Sequence, residues 1–148
     1  MTRRAILNQI NLVVADMRAS VAFYRRLGAD VSRSDEASFH ADCELGNDFT
    51  LELDTEGFAR VWNKGWRART DTIGRAVIWF HADTREDVDE TFKDMTDAGY
   101  RGVHPPQDAF WGARYAIIED PDGTSVGLMS PTDPAKRFWP PEGFSEME

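Results

Sequence analysis

Short apolar runs recur along the chain, and the period of the pattern changes in a fixed order. Near the C-terminal end two runs, Tyr115–Ile118 and Val126–Met129, flank Asp120-Pro121-Asp122-Gly123. Proline presets the φ angle of a turn and glycine supplies the positive φ that closes it, so residues 111–131 predict a β-hairpin. Gly127 falls inside the second strand, where a glycine gives up packing and costs entropy. Upstream, "INLVV" (10–14) and "AVIWF" (76–80) are strand-like runs, and each leads into the pattern A-D-x-R-x-x-V, at 15–21 and at 82–88. A helical period follows each. Met17, Val21, Tyr24 and Leu27 share one face up to Gly28, and Val88, Phe92 and Met95 share another up to Gly99. Asp16 and Asp83 are the expected N-caps and the two glycines the expected stops, with the second helix about one turn longer.

Three strand candidates follow each helix, near 29–33, 37–44 and 48–54 and then near 101–104, 113–119 and 124–130. The chain therefore reads as β-α-β-β-β, twice. The fold class is α+β. A helix covers only one face of its sheet, and sheets twist. Two such modules side by side predict a half-open, curved-sheet barrel with a central cavity. A single domain over 1–148 divides into module one (5–55), a linker (56–71) rich in Gly, Arg and Trp with room for one short helix, module two (72–131), and a proline-rich arm (132–148) expected to pack irregularly.

Composition narrows the function classes. The chain has 148 residues, enough for a real core, and a formal net charge of −9. It carries no basic stripe, so nucleic acid is not an expected partner, whereas acidity favours a cationic small ligand. One cysteine, Cys43, allows no internal disulfide and no CxxC zinc motif. The N-terminal "MTRRAILNQI" lacks the apolar core of a signal peptide, and no run approaches the roughly 20 residues of a membrane span. A reducing cytoplasm is the expected location.

The segments "NLVVADMRASVAFYRRLG" and "EDPDGTSVGLMSP" resemble the two ends of the vicinal-oxygen-chelate superfamily, which includes glyoxalase I, extradiol dioxygenases and the fosfomycin- and bleomycin-resistance proteins. The resemblance runs from about Leu7 to Pro131. It rests on the D-x-x-x-S-x-x-F-Y-x-x-L-G helix, Asp16 through Gly28, and on the E-D-P-D-G turn. Metalloenzymes of that superfamily place four ligands on cavity-facing strands. The resemblance carries those positions onto Gln9, Glu52, Ala76 and Gly127. Ala76 and Gly127 have no donor side chain, so half of a site remains and no cofactor is expected, with a divalent metal the alternative. Of the histidines, His40 lies on a middle strand, facing the cavity or serving as an ordinary strand residue. His81 is expected to point away from the cavity, and His104, before Pro105-Pro106, to lie in a loop.

Glu52 is the candidate catalytic or ligand-pairing carboxylate. Burial among apolar walls would raise its pKa unless a cation or donor such as Gln9 or Asn11 satisfies it. Aromatic side chains supply the second signal. Trp79 is expected in the core beneath the helices, whereas Trp62, Trp66, Phe110 and Trp111 sit on loop segments suited to rimming a cavity. There they would stack on flat or cationic ligands, or else bury the linker or a dimer interface. Arg114 is a candidate anion contact or a surface ion-pair partner. Gly127 leaves floor space for a larger ligand. The leading expectation is a metal-free small-molecule-binding protein of the glyoxalase/bleomycin-resistance type. It would be homodimeric and would sequester an aromatic or cationic compound such as an antibiotic, using Gln9, Asn11 and Glu52 for orientation. The alternative is a glyoxalase-related lyase or isomerase with Glu52 as base, with or without a divalent metal.

Overall fold

A computed structural model describes residues 5–32, 38–68 and 75–141. The chain divides into two compact units, Met1–Thr70 and Asp71–Glu148. Both are α+β, as the sequence pattern predicts.

The first unit contains β1 (Gln9–Val14), α1 (Met17–Arg26), β2 (His40–Glu44), β3 (Thr50–Thr55) and α2 (Glu56–Trp62). Its sheet has the order β1-β3-β2, with β1 parallel and β2 antiparallel to β3. Strand side chains alternate between faces, so "TLELD" sends Leu51 and Leu53 one way and Glu52 and Asp54 the other. Leu51, Leu53, Ala41 and Cys43 are buried on the face covered by α1, which contributes Met17, Val21, Phe23 and Tyr24 to the same core. The Asp16 carboxylate caps α1 by accepting from the Ala19 N–H at 3.1 Å. Gly28, at φ +99°, ends the helix as expected. Of the expected strand at 29–33, residues 29–32 are not in a strand. The Ser32 N–H donates to the Asp42 carbonyl at 3.4 Å, and Arg33 lies outside the described residues. The linker's expected short helix is α2, capped by the Thr55 hydroxyl.

The second unit contains β4 (Val77–His81), α3 (Arg85–Asp97), β5 (Gly102–Asp108), β6 (Arg114–Glu119), β7 (Ser125–Met129) and a 3₁₀ turn at Pro134–Lys136. The sheet order is β4-β7-β6-β5, and β6 and β7 form the expected hairpin. Its turn is organised by the buried Asp120, whose carboxylate accepts from the Asp122 and Thr124 N–H groups at 2.9 and 2.8 Å. Val88 and Met95 of α3 pack with Ala116, Ile118, Val126 and Leu128. The tail is seated within this unit: the Phe138 N–H donates to the Phe110 carbonyl at 2.9 Å and Asp133 N–H to the Gly112 carbonyl at 3.0 Å.

Two expectations in this unit are corrected. His104 is in β5 rather than a loop, because β5 is the sheet's edge, where Pro105 and Pro106 withhold no needed N–H and the ladder shifts register. The N-cap of α3 is Thr84, not Asp83. The Thr84 hydroxyl accepts from the Asp87 N–H at 3.0 Å while the Asp87 carboxylate accepts from the Thr84 N–H at 3.1 Å, a reciprocal pair that fixes the start of the helix at Thr84. The helix thus starts one residue later relative to its strand than in module one. Aligning the true caps carries Gln9 onto Val77 rather than Ala76, and Asn11 onto Trp79. Strand pairing agrees: Asn11 lies opposite Glu52 in module one, and Trp79 lies opposite Gly127 in module two. No described helix is long and apolar enough to cross a membrane.

Candidate functional site

The face of the first sheet opposite α1 is polar, and its residues converge. From β1 come Gln9 and Asn11, from β3 Thr50, Glu52 and Asp54, and from β2 His40. They form a chain of contacts. The Gln9 amide N–H donates to Asn11 Oδ1 at 2.6 Å, and the Asn11 amide donates to Asp54 Oδ2 at 2.6 Å. The other Asp54 oxygen lies 2.6 Å from His40 Nδ1. His40 Nε2 is 3.4 Å from Glu52 Oε1, and Glu52 Oε2 accepts the Thr50 hydroxyl at 2.8 Å. Asp54 is fully buried, whereas the His40 side chain retains 35% of its exposure and Glu52 17%. The expected donors to Glu52, Gln9 and Asn11, are instead engaged with each other and with Asp54. Thr50 donates to Glu52 instead, and the His40 imidazole stands beside it.

Burial is the largest single influence on the His40 imidazole and opposes its charge. The hydrogen bond to Asp54 and the negative charges of Asp54, Glu52 and Asp42 together outweigh it, so its pKa stands above the ordinary 6.5. Over this polar floor opens a cleft of about 620 Å³, lined also by Ser38, Phe39, Phe58 and Trp62. The Phe58 ring packs tilted against Phe39 and edge-to-face with His40, at centroid distances of 4.6 and 5.9 Å. Here the backbone turns directly from β3 into α2, which brings Phe58 and Trp62 back over the strand ends.

Of the residues singled out from sequence, Gln9, Asn11, Glu52 and Trp62 meet in this cleft. Trp66 does not line it; the Arg60 guanidinium lies over its ring at 5.0 Å. Phe110 and Trp111 belong to the second unit, where they line a hollow of about 450 Å³ with Arg137, Phe138 and Trp139. Arg114 is an ion-pair partner: its guanidinium contacts Asp89 at 2.7 Å and Asp108 at 3.0 Å, and Asp108 also meets Arg85. Its hydrogen bond to Arg114 holds the Asp108 carboxyl below the ordinary range.

Gly127 does not open floor space. A Cβ there would stand 2.6 Å from Trp79 Cδ2, and closer still to the six-membered ring of the indole, so Trp79 fills the place of the missing side chain. The expectation that Trp79 is core is likewise corrected. Gly102 abuts Phe92 and Thr96 of α3, which fixes Ile118, its strand partner, and Val126 on the helix side. Trp79 and Gly127 therefore face away from α3, and Trp79 is 44% exposed. His81, two residues on, shares that face rather than the expected opposite one and pairs with Asp83 at 3.3 Å. Tyr115 stands on the same face, with centroids 6.2 Å from Trp79, 5.3 Å from Trp111 and 4.7 Å from His104.

The superfamily's four-ligand metal does not fit these residues. Module one offers Gln9 and Glu52, but the corresponding positions of module two are Val77, which has no donor, and Gly127, whose side-chain space the Trp79 indole occupies. Among the described residues, no group of three or more His, Cys, Asp or Glu is arranged to hold a metal ion.

Asp54 and Phe58 do not stand out in the sequence as site residues, nor does any partner for His40. The i, i+2 spacing of Glu52 and Asp54 in an alternating strand was the available signal for the first. No local signal places His40 opposite Asp54, because that depends on strand register.

Comparison with known proteins is consistent with this architecture. The sequence profile of the glyoxalase/bleomycin resistance protein/dioxygenase superfamily matches residues 6–128. The uncharacterized protein YraH of Bacillus subtilis is 29% identical over 123 residues, covering 81% of this chain and 94% of its own. The uncharacterized protein Rv0887c of Mycobacterium tuberculosis is 30% identical over 128 residues, covering 82% and 72%. Among solved structures, a glyoxalase-related enzyme from Fulvimarina pelagi superposes with a TM-score of 0.71 at 20% identity, over 85% of this chain and 88% of that one. Lactoylglutathione lyase from Agrobacterium tumefaciens superposes at 0.62 with 20% identity, over 87% and 96%.

Proposed function

Because the chain belongs to the glyoxalase/bleomycin resistance protein/dioxygenase superfamily, we propose that it is a small-molecule-binding protein of the glyoxalase/bleomycin-resistance type that works without the four-ligand metal set. Its ligand is an aromatic or cationic compound, held in the cleft on the first sheet. One observation carries this reading: a carboxylate–imidazole floor and an aromatic wall of Phe39, Phe58 and Trp62 meet in one cleft, whose volume lies within the roughly 300–1,000 Å³ usual for such pockets. Glu52 supplies charge, Gln9 and Asn11 fix the floor, and the aromatic rings supply contact area. An antibiotic is one compound of this kind. We further propose a cytoplasmic homodimer.

A second reading, a lyase or isomerase with Glu52 as base, is favoured by the imidazole that a buried carboxylate orients beside it. An acid and a base in contact are what proton transfer needs.

Melting curves of metal-stripped protein separate the two. Planar organic cations at about a hundred times their dissociation constant should stabilise it by roughly 2.7 kcal/mol, and Glu52→Gln should abolish the shift. A shift with nickel, zinc, manganese, iron or cobalt that vanishes in Glu52→Ala gives the enzyme reading the lead. No shift with any organic cation overturns the first reading.

A further inference from the structure

The floor of the cleft aims two polar atoms at one place. His40 Nε2 and Glu52 Oε1 stand 3.4 Å apart, and both side chains keep access to solvent. Behind them the other polar atom of each group is committed. His40 Nδ1 meets Asp54 at 2.6 Å, and Glu52 Oε2 takes the Thr50 hydroxyl at 2.8 Å. Asp54 is fixed in turn by Asn11, and Asn11 by Gln9. A carboxylate only accepts, so the one proton of a neutral His40 belongs on Nδ1. Nε2 then presents a lone pair beside the carboxylate oxygen. While His40 is neutral, two acceptors this close are satisfied together by a donor that reaches both, and the negative charge of one of them favours a donor that is a cation.

We propose that Glu52 and His40 jointly seat the N–H-bearing cationic head of an arylalkylamine or arylamidine, one N–H donated to Oε1 and one to Nε2, with the aryl body against Phe58 and Trp62. This rests on the small-molecule reading of the same cleft and narrows its ligand class. A quaternary ammonium carries the charge but no N–H, so it cannot bridge the two acceptors. Among the described residues, the charged groups around His40 agree in sign. Asp54 and Glu52 face it from β3, and Asp42 lies on its own strand. From β1 come only the amides of Gln9 and Asn11, and from α2 the Phe58 ring, while Glu56 of α2 faces Arg60 at 3.9 Å. A proton on Nε2 and the ligand's N–H compete for one place.

The test is titration calorimetry on the full chain at about pH 8.5 with three probes of one shape: 2-phenylethylamine, its N,N,N-trimethyl derivative and 2-phenylethanol. The primary amine should bind about 10- to 100-fold more tightly than either of the others, the range expected for a charged hydrogen bond. It should weaken at about pH 6, where the proton competes. Glu52→Gln should remove most of its affinity, and His40→Leu should erase its advantage over the trimethyl derivative. The ratio in the unaltered protein stands even if His40→Leu fails to fold. Equal binding of amine and trimethyl derivative, lost in Glu52→Gln, overturns the bridge but leaves the cation-binding cleft. Equal binding of all three overturns the role of charge. Binding of none overturns both this inference and the reading beneath it.

Discussion

His40 is held between carboxylates on one strand, and its stability contribution has a definite sign. Its pKa in the folded protein is raised above the unfolded value, so the interaction contributes fully below that unfolded value and is lost as pH rises through the folded one. His40→Gln should therefore destabilise the protein more at about pH 5.5 than at about pH 9, read from urea midpoints at the two pH values. Equal losses at both would mean that charge is not the source. Asp54 acts as a structural anchor as well: it is buried and satisfies both Asn11 and His40. This cluster shows where a sequence stops informing. Glu52 and Asp54 stand on one face by strand alternation alone, and "TLELD" displays it. His40 and Asp54 are 14 residues apart, and only the antiparallel register of β2 on β3 makes them partners.

At the scale of elements, a single residue before a helix decides how the modules compare. Strand, helix and hairpin were legible because apolar period, capping residues and turn residues agree locally, as at Asp16, Gly28 and Asp120–Gly123. The face of β4 was not, because Ala82-Asp83 copies Ala15-Asp16 in letters while Thr84 takes the cap. One residue of slip reverses every side chain of a strand, which is why the repeat pattern alone puts Trp79 and His81 on the wrong faces. The Trp79–Gly127 contact across β4 and β7 supplies a measurement at this scale. Gly127→Ala should cost about 1–3 kcal/mol, the usual penalty for forcing a carbon into filled space, and the cost should shrink when Trp79 is also alanine. Denaturant unfolding of the two single variants and the double variant gives the coupling; a costless Gly127→Ala would mean that the indole swings aside freely.

For the whole molecule, two compact units of one fold class arise from one repeated pattern, yet they are chemically unlike. The first sheet's open face carries Gln9, Asn11, Glu52, Asp54 and His40, and the second's carries Trp79 and Tyr115. The proposed homodimer belongs at this scale: sedimentation at micromolar concentration should give twice the 16.8 kDa chain mass, and a pure monomer counts against it. The asymmetry extends to sulfur. Cys43 is the sole cysteine of the chain, it lies beneath α1 in the first unit, and burial pushes its thiol pKa up. A thiol reagent reacts with it only when its cover in the first unit opens, so labelling rates measure the opening of one half of the molecule while the other half stays silent. The protein thus carries a clock in the half that holds the cleft, and a ligand bound in the cleft should slow it.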